Sequence, residues 1–432
     1  MTYLFVGAGQ AGGAIVDAIF EYTDDSMLGL FESTDISTLG RPLVFNSTMR
    51  DLQNLSNVPA EDQYGVAEQH GLIQGTEPGF EEMVTGGFGR NPADADEVMD
   101  EHTAELQSIL DERFGSGGFG LDIEENEDSE ASSPDPRSAD TIQFAFLFLG
   151  LGGGTGCGIG PHLAREIKQF TDGDTKIVAV AVLPNTRSTE ESDEENGTNA
   201  GRQAWNARYG LNRLEEEVDG IVLVDNQRIS YLDSAGGEFG EYNEYVAAAV
   251  HDLVAGPMLS SVDASDVDGV DTPDIDVRDI MTSLSFGVGS GESTPGYGAI
   301  GRSVTMTKSL TGYLLPFVGN RDIDSAALSR LSASKQTLAR ADVGDAQKAI
   351  SLIRAPSANL SAGPNSVETG TVKEYLERSC QLSEVNLGVA LSDRNLASVT
   401  TLLTYRREDL DRLDEIEQAA EAYEEETEEL LT

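Results

Sequence analysis

The chain has 432 residues, and its 76 Asp and Glu residues against 28 Lys and Arg residues give a formal net charge of −48. This length suits two or three domains, and the charge excludes proteins that bind free nucleic acid or anionic membranes. Hydrophobic residues make up 39% of the chain and form no run of the roughly 18 residues that cross a bilayer, so we expect a cytoplasmic protein without direct membrane insertion.

Apolar runs alternate with helix-like segments through the first half of the chain. The predicted strands are residues 3–6, 42–45, 142–149, 176–183 and 221–224, and the predicted helices between them are residues 12–22, 93–114, 161–170 and 201–218. Continuous apolar strands that alternate with helices indicate a parallel sheet covered on both faces. We therefore predict a doubly wound α/β domain over residues 1–232.

The rest of the chain is divided by composition. Residues 115–140 are rich in Gly, Ser, Pro and acids, which predicts a mobile acidic insertion inside the first domain. Residues 233–284 are predicted to hold a long helix, from 242 to 260, and a loop. Residues 285–406 carry shorter apolar runs, such as 313–318 and 385–391, typical of a second α+β domain. Residues 407–432 predict an acidic helix docked on that second domain, with a partner-binding tail as the alternative.

The acids are spread along the whole chain, and only six residues are lysines. This pattern is typical of proteins from salt-in halophiles, in which molar salt reduces the Debye length to about 3 Å and screens the repulsion between like charges; a merely acidic protein is the alternative. The two cysteines and four histidines lie far apart in the sequence and off metal-ligand spacing. We therefore expect no metal site built from these side chains.

The first predicted strand leads into a glycine-rich turn, Gly7-Ala8-Gly9-Gln10-Ala11-Gly12. Glycines between a strand and a helix let backbone amides approach a phosphate at the helix N-terminus, where the helix dipole favours negative charge. Glu32 follows at the distance of a ribose-binding acid, so the motif alone fits an NAD-dependent Rossmann oxidoreductase.

A second glycine cluster, Gly150 to Gly158, follows the most apolar predicted strand. Three consecutive glycines can present successive amides to an anion, and Thr155 adds a hydroxyl donor. Two phosphate loops on one sheet suit a polyphosphate better than a single pyrophosphate. The chain has no Gly-x-x-x-x-Gly-Lys-Ser/Thr motif, which disfavours a Walker-type NTPase.

The sequence Gly-Gly-Gly-Thr-Gly-Cys-Gly at 152–158 resembles the signature of the tubulin/FtsZ superfamily, and Gly9-Gln10-Ala11-Gly12 resembles the first nucleotide loop of tubulins and of the archaeal CetZ group. The resemblance implies a GTPase domain, a long central helix, a second α+β domain and head-to-tail assembly into filaments. It also implies GTP or GDP as ligand, with Mg²⁺ or K⁺ beside the triphosphate.

The same resemblance implies nucleotide contacts at matching positions. In the two glycine loops these are Gly9, Gln10, Ala11, Gly12, Gly152, Gly153, Gly154, Thr155 and Gly156. Elsewhere they are Asn46 near the metal, Gly89 and Asn91 at the γ-phosphate, Asn226 at the guanine edge, Tyr242 or Tyr245 stacked on the base, and Asn199, with Glu194 and Glu195 as alternatives, at the ribose.

The catalytic loop of the family resembles residues 271–279, and Asp276-Val277-Arg278 matches the end of its pattern. The resemblance implies that Asp276 enters the nucleotide site of a neighbouring subunit and polarises the attacking water. Pro273 stands at the position of the first acid, so Asp274 and Asp279 are further candidates. Asp276 and Asp279 have the three-residue spacing that places two side chains on one helical face.

Taken together, these residues predict a cytoskeletal GTPase that assembles with itself, and with related FtsZ-like proteins, in cell division or cell shape. Two alternatives stay open. One is a nucleotide-binding structural or regulatory relative with little hydrolysis, which Pro273 favours, and the other is the NAD-dependent oxidoreductase.

Overall fold

The computed structural model describes residues 2–22, 36, 40–115, 142–186, 194–229, 239–259, 275–287, 293–308, 321–360, 366–380, 382, 384–392 and 395–431. The predicted insertion beyond Gly115 lies outside these residues, as do Glu32, Asp274 and the predicted strand at 313–318.

The core of the fold is one sheet of eleven strands in the order β12-β11-β13-β10-β7-β6-β5-β1-β2-β3-β4, beside a hairpin of β8 and β9. The strands are β1 (Thr2–Ala8), β2 (Gly40–Asn46), β3 (Gln63–Ala67), β4 (Gly71–Gln74), β5 (Ile142–Gly150), β6 (Lys176–Leu183), β7 (Gly220–Asp225), β8 (Ser285–Phe286), β9 (Thr294–Pro295), β10 (Tyr297–Met306), β11 (Lys348–Ala355), β12 (Glu384–Leu391) and β13 (Leu396–Tyr405).

Strands β1, β2, β3, β5, β6 and β7 run parallel to one another. Their register aligns the carboxyl ends, since Ala8 pairs with Phe45 on one side and Leu149 on the other. Leu183 likewise pairs with Asp225. The loops that follow these strands therefore open at one edge of the sheet.

The helices cover both faces of the sheet. They are α1 (Gly9–Glu21), α2 (Met49–Gln53), α3 (Phe80–Met83), α4 (Pro92–Glu101), α5 (Thr103–Phe114), α6 (Gly154–Phe170), α7 (Glu194–Glu217), α8 (Asn226–Ile229), α9 (Phe239–Leu259), α10 (Val277–Ser283), α11 (Ser325–Ser334), α12 (Ser357–Leu360), α13 (Thr369–Ser379) and α14 (Asp411–Leu431). Within the described part of the chain, no helix has the length and apolarity that crossing a bilayer requires.

Strand β1 shows why two helical layers form. Its side chains alternate between faces with a period of two. Leu4 and Val6 belong to one buried cluster, and Tyr3 and Phe5 belong to another. Because every residue from Tyr3 to Val6 is buried, both faces of the strand need cover. The predicted fold class is confirmed: a doubly wound, mostly parallel sheet, a long central helix (α9) and a second α+β region.

The C-terminal helix packs mainly along α7, so the prediction that it docks on the second domain is wrong. Trp205 of α7 donates a hydrogen bond from Nε1 to Glu424 Oε1 at 2.7 Å, and Arg208 contacts Glu417 at 3.4 Å. Leu413 and Ile416 of α14 are buried in the core. The helix therefore binds a face of α7 that offers both aromatic and basic partners for its acids.

Two predicted helices have different bounds in the structure. The segment 93–114 is two helices, α4 and α5, that meet at His102. Helix α6 begins at Gly154 instead of residue 161, and Pro161 lies within it. The glycines belong to the helix because neighbouring segments pack closely against it. A Cβ on Gly158, for example, would lie 2.3 Å from the carbonyl oxygen of Pro92.

Candidate functional site

A cleft of about 890 Å³ opens where the parallel strands end. Most of the predicted nucleotide contacts line it. They are Gly9, Gln10, Ala11, Asn46, Gly89, Gly152, Gly153, Gly154, Thr155, Gly156 and Asn226. The register of the sheet brings these residues together from five separate segments of the chain.

Two helix N-termini open into this cleft, those of α1 at Gly9 and α6 at Gly154. Neither helix has a side-chain cap on its first-turn amides, and neither has an acid in its first turn. Although the chain has a net charge of −48, both helix starts present their amides to the cleft without an acid in the first turn. Uncapped amides at the positive ends of two helix dipoles favour an anionic group such as phosphate.

The two glycine loops are in close contact. Gly9 has a φ of +72°, which favours glycine, and a Cβ on it would lie 3.0 Å from the amide nitrogen of Gly156. Gly12 has a packing role, since a Cβ there would lie 2.1 Å from the carbonyl oxygen of Phe148. This contact explains why Gly12 lies beneath the cleft, outside its lining.

The loop after β2 joins the second glycine loop through side chains. Ser47 Oγ and Thr155 Oγ1 are 2.8 Å apart and share a hydrogen bond. Asn46 accepts a hydrogen bond from the Thr48 amide at 3.2 Å and donates to Asp51 Oδ2 at 3.4 Å. Asp51 is the one carboxylate among the described lining residues. Carboxylate and amide oxygens are the ligands that Mg²⁺ prefers, so Asn46 and Asp51 suit a metal beside a phosphate.

Helix α7 holds the loop that contains Gly89 and Arg90. Arg202 donates a hydrogen bond to the Gly89 carbonyl oxygen at 2.6 Å. Buried Asn206 donates to the carbonyl oxygens of Arg90 at 3.0 Å and Gly152 at 3.2 Å. Arg90 has a φ of +67°, a strained backbone for a residue with a side chain. The α7 contacts thus fix this loop, with the basic Arg90, at the mouth of the cleft.

Asn91 and Asn199, two predicted contacts, have other partners. Asn91 caps α4 by accepting from the Ala93 amide at 3.2 Å, and it donates to Asp94 at 2.7 Å. Asn199 accepts a hydrogen bond from Arg90. Neither residue lines the cleft. The side chains of Glu194 and Glu195 lie outside the described residues.

Tyr242 and Tyr245, the predicted base-stacking residues, also lie away from the cleft lining. Their rings stack on each other with centroids 6.2 Å apart. The hydroxyl of Tyr242 donates to the Thr337 carbonyl oxygen at 3.0 Å, and that of Tyr245 donates to the Lys335 carbonyl oxygen at 2.8 Å. Both rings therefore tie α9 to the loop after α11.

The predicted catalytic acids form a capping box at the start of α10. Asp276 accepts from the amides of Arg278 at 2.8 Å and Asp279 at 3.0 Å, while Asp279 accepts from the Asp276 amide at 2.9 Å. This reciprocal arrangement stabilises a helix start. Neither acid lines the cleft, and Asp276 is exposed.

Several lining residues were not among the predicted contacts, and three of them, Asp51, Asn185 and Gln203, have carboxylate or amide side chains. Asp51 and Gln203 sit on helices whose orientation the sequence did not reveal, although Asn185 follows directly after a predicted strand. Cys157 is fully buried, and burial raises the pKa of its thiol well above its ordinary value. Across the described residues, no group of three or more His, Cys, Asp or Glu side chains could hold a metal ion.

Comparisons with known proteins agree with this geometry. Residues 135–232 match the GTPase domain of the tubulin/FtsZ family. CetZ1 from Haloferax volcanii, a GDP-bound monomer, shares the fold with a TM-score of 0.64 at 19% identity over 98% of this chain and 100% of its own. No curated protein sequence matches the chain significantly.

Two further structures have the same fold. CetZ from Methanosaeta thermophila strain DSM 6194 has a TM-score of 0.65 at 20% identity, over 99% of this chain and 92% of its own. CetZ2 from Haloferax volcanii, a GTPγS-bound protofilament, has a TM-score of 0.64 at 19% identity, over 99% of this chain and 100% of its own. Residues 135–232 thus resemble the GTPase domain of the tubulin/FtsZ family, and the chain as a whole has the fold of these CetZ structures.

Proposed function

We propose that this protein is a cytoskeletal GTPase that binds GTP in the described cleft and assembles head to tail into filaments. The observation that carries the proposal is the pair of uncapped, acid-free helix starts at Gly9 and Gly154, which open into one cleft. A nucleoside triphosphate offers phosphates to both helices at once. The match to the family's GTPase domain supports guanine nucleotides as the ligand.

The residues of the cleft divide the work of phosphoryl transfer. Amides of the first turns of α1 and α6 bind the phosphate oxygens, and the Thr155 hydroxyl and Arg90 guanidinium donate further hydrogen bonds. Asn46 and Asp51 would hold Mg²⁺, which supplies neutralisation of phosphate charge. The amide side chain of Asn226 can donate to and accept from a purine edge.

Hydrolysis requires a group that positions water, and we assign this role to Asp276 of a neighbouring subunit. Its carboxylate accepts a hydrogen bond from the water whose oxygen attacks the γ-phosphorus, while the bond to the β-phosphate oxygen breaks and GDP leaves. A contact between two different surfaces of identical subunits need not close, so it propagates as a filament. Protofilaments of CetZ2 support this form of assembly.

The charge of the chain suggests the conditions for the test. With a net charge of −48, we infer a protein adapted to molar salt, in which screened acids neither unfold the chain nor repel GTP. Assembly should be followed by light scattering and phosphate release in molar KCl with equal concentrations of GTP, ADP and NAD. Polymer and phosphate with GTP alone are expected, and NAD binding without GTP binding contradicts the proposal.

A relative with little hydrolysis is the second candidate, because the capping box already explains Asp276 and Asp279 structurally. Such a protein forms polymer with GTP and releases almost no phosphate. The ratio of phosphate released to polymer formed, measured in the same samples, separates the two candidates.

A further inference from the structure

Arg412, in the first turn of α14, is 1% exposed. Its guanidinium makes three hydrogen bonds from three different nitrogens. Nε donates to Asp225 Oδ2 at 3.1 Å, Nη1 donates to Thr186 Oγ1 at 2.9 Å, and Nη2 donates to the Pro184 carbonyl oxygen at 2.6 Å. One side chain of the C-terminal helix therefore joins two loops that lie more than 180 residues earlier in the chain.

These partners sit at the ends of two neighbouring strands. Pro184 follows Leu183, the last residue of β6, and Asp225 is the last residue of β7; Leu183 and Asp225 are paired across the sheet. Three residues that follow these strand ends line the cleft: Pro184 and Asn185 after β6, and Asn226 after β7. Arg412 thus contacts the residues next to Asn185 and Asn226 in the chain.

A second set of hydrogen bonds closes the arrangement around Asn226. The Gln227 amide donates to Asp225 Oδ1 at 2.9 Å, and Gln227 Nε2 donates to Thr186 Oγ1 at 3.3 Å. Asp225 and Gln227 are both fully buried. Asn226 is therefore flanked by two residues whose positions depend on the contacts of Arg412.

The contact between Arg412 and Asp225 is better explained by the positions that it fixes than by a gain in stability. Burial raises the pKa of Asp225, and the guanidinium of Arg412 opposes that rise, so the pair mainly offsets its own desolvation. A planar guanidinium, in contrast, fixes the relative positions of the oxygens that it contacts. The arrangement is suited to holding two strand ends at a set spacing.

We propose that Arg412 is a positioning residue of the nucleotide site: it holds the ends of β6 and β7 so that Asn185 and Asn226 meet the base. This inference rests on the proposed function, since it assumes a purine nucleotide in the cleft. It adds that guanine selectivity depends on a residue that does not touch the ligand.

Arg208 offers a matched control. It also joins α14 to the body of the protein, through Glu417 and Glu424, but it contacts neither strand end. We expect Arg208→Ala to weaken these contacts with α14 and to leave the Arg412 contacts in place. Trp205, the one tryptophan of the sequence, contacts Glu424 of α14, so its fluorescence reports whether that helix is docked.

The test measures the dissociation constants of GTP and ATP for the full chain in molar KCl, by competition with a fluorescent GTP analogue. Arg412→Met should reduce GTP affinity about tenfold, because three hydrogen bonds that hold the strand ends are lost, and should change ATP affinity little. Arg412→Lys keeps the positive charge without the planar guanidinium, and its GTP affinity should lie between those of the wild type and Arg412→Met. Arg208→Ala should lower the melting temperature and leave the ratio of the two constants unchanged.

If Arg412→Met fails to fold, Thr186→Val provides the test, because it removes one Arg412 contact with a small change in shape. Thr186→Val should lower the preference for GTP over ATP about threefold. An unchanged ratio in a folded Arg412 or Thr186 variant whose tryptophan signal shows a docked helix overturns the inference. An equal fall in Arg208→Ala also overturns it. A wild-type chain that binds GTP no better than ATP contradicts the proposed function itself.

Discussion

The carboxylate of Asp276 lies near the phenol of Tyr3: burial first, and then the negative charge of Asp276, raise the pKa of Tyr3 to about 12. Tyr3 is the second residue of β1, and Ala8, its last, lines the cleft. Five residues of strand extend about 17 Å. Asp276 and the cleft therefore lie towards opposite ends of one strand, and for this reason we propose that the acid of a second subunit completes the site.

Substitution of Asp276 separates its charge from its role as a helix cap. Asn is as good an N-cap as Asp, whereas Ala costs about 1 kcal/mol. We expect Asp276→Asn to keep the unfolding free energy of the wild type and to reduce the rate of GTP hydrolysis by about 100-fold or more. Asp276→Ala should reduce both the unfolding free energy and the rate of hydrolysis. Denaturant unfolding and phosphate release measure the two effects. Full hydrolysis by Asp276→Asn would show that the carboxylate charge is not used.

Two adjacent glycines of the second loop should respond differently. A Cβ on Gly153 meets nothing within 4 Å, whereas one on Gly154 would lie 2.7 Å from backbone atoms of Arg90 and Asn91. Gly153→Val should therefore fold normally and lose GTP affinity by about 100-fold or more, since its side chain fills space where phosphate binds. Gly154→Ala should lower the melting temperature as well. Calorimetric titration and thermal unfolding check both, and tight GTP binding by folded Gly153→Val would argue against this cleft.

Asp51 should make nucleotide affinity depend on Mg²⁺. If Asp51 and Asn46 hold the metal, Asp51→Asn should remove most of the affinity gained on adding Mg²⁺ and leave the affinity in EDTA unchanged or higher, because a negative charge near phosphate is lost. Glu81→Gln is the control, since Glu81 contacts Gln53 of α2 but lies outside the cleft lining. The same Mg²⁺ dependence in Asp51→Asn and the wild type would exclude this role.

Asp252 of α9 should make the unfolding free energy depend on pH in the acidic range. Burial by itself would raise the pKa of this carboxyl, but Arg302 at 2.6 Å and Arg354 at 2.7 Å outweigh burial and hold it below its ordinary value. A carboxylate with a lowered folded-state pKa stabilises the fold above its unfolded pKa, and this contribution is lost as the pH falls below about 4.

Asp252→Asn should therefore destabilise the protein by about 3 kcal/mol at pH 7, because the buried guanidinium of Arg354 and the half-buried guanidinium of Arg302 lose their partner. The difference from the wild type should shrink as the pH falls below about 4. Denaturant unfolding at a series of pH values measures this, and a difference that stays constant down to pH 3 would be inconsistent with the assigned charge state.

The sequence predicted the parts of the fold that depend on local pattern. The apolar runs at 142–149 and 176–183 are strands β5 and β6, because a strand buried on both faces needs apolar side chains throughout. The glycine motif located a loop that lines the cleft, and a Cβ on Gly9 would lie only 3.0 Å from the amide nitrogen of Gly156. The start of α6 was placed too late because glycine normally disfavours helix, and here close packing with α4 overrides that preference.

Features that depend on tertiary packing were not predicted. Asp51 and Gln203 reach the cleft through the orientations of α2 and α7, which no short motif encodes. The aromatic side chains at Tyr242 and Tyr245 matched a family position, yet their hydroxyls pair with backbone carbonyls. Docking of α14 depends on Arg412 and Asp225, which lie far apart in the chain and meet only in the folded protein.

Mixing two inactive variants tests most directly whether one site is built from two subunits. Asp276→Asn keeps an intact cleft, and Gly153→Val keeps an intact acid. In a random equal mixture about a quarter of head-to-tail contacts join an intact cleft to an intact acid. The mixture should therefore release phosphate from GTP although neither variant does so alone, whereas a mixture that assembles and stays as inactive as its components would contradict the account.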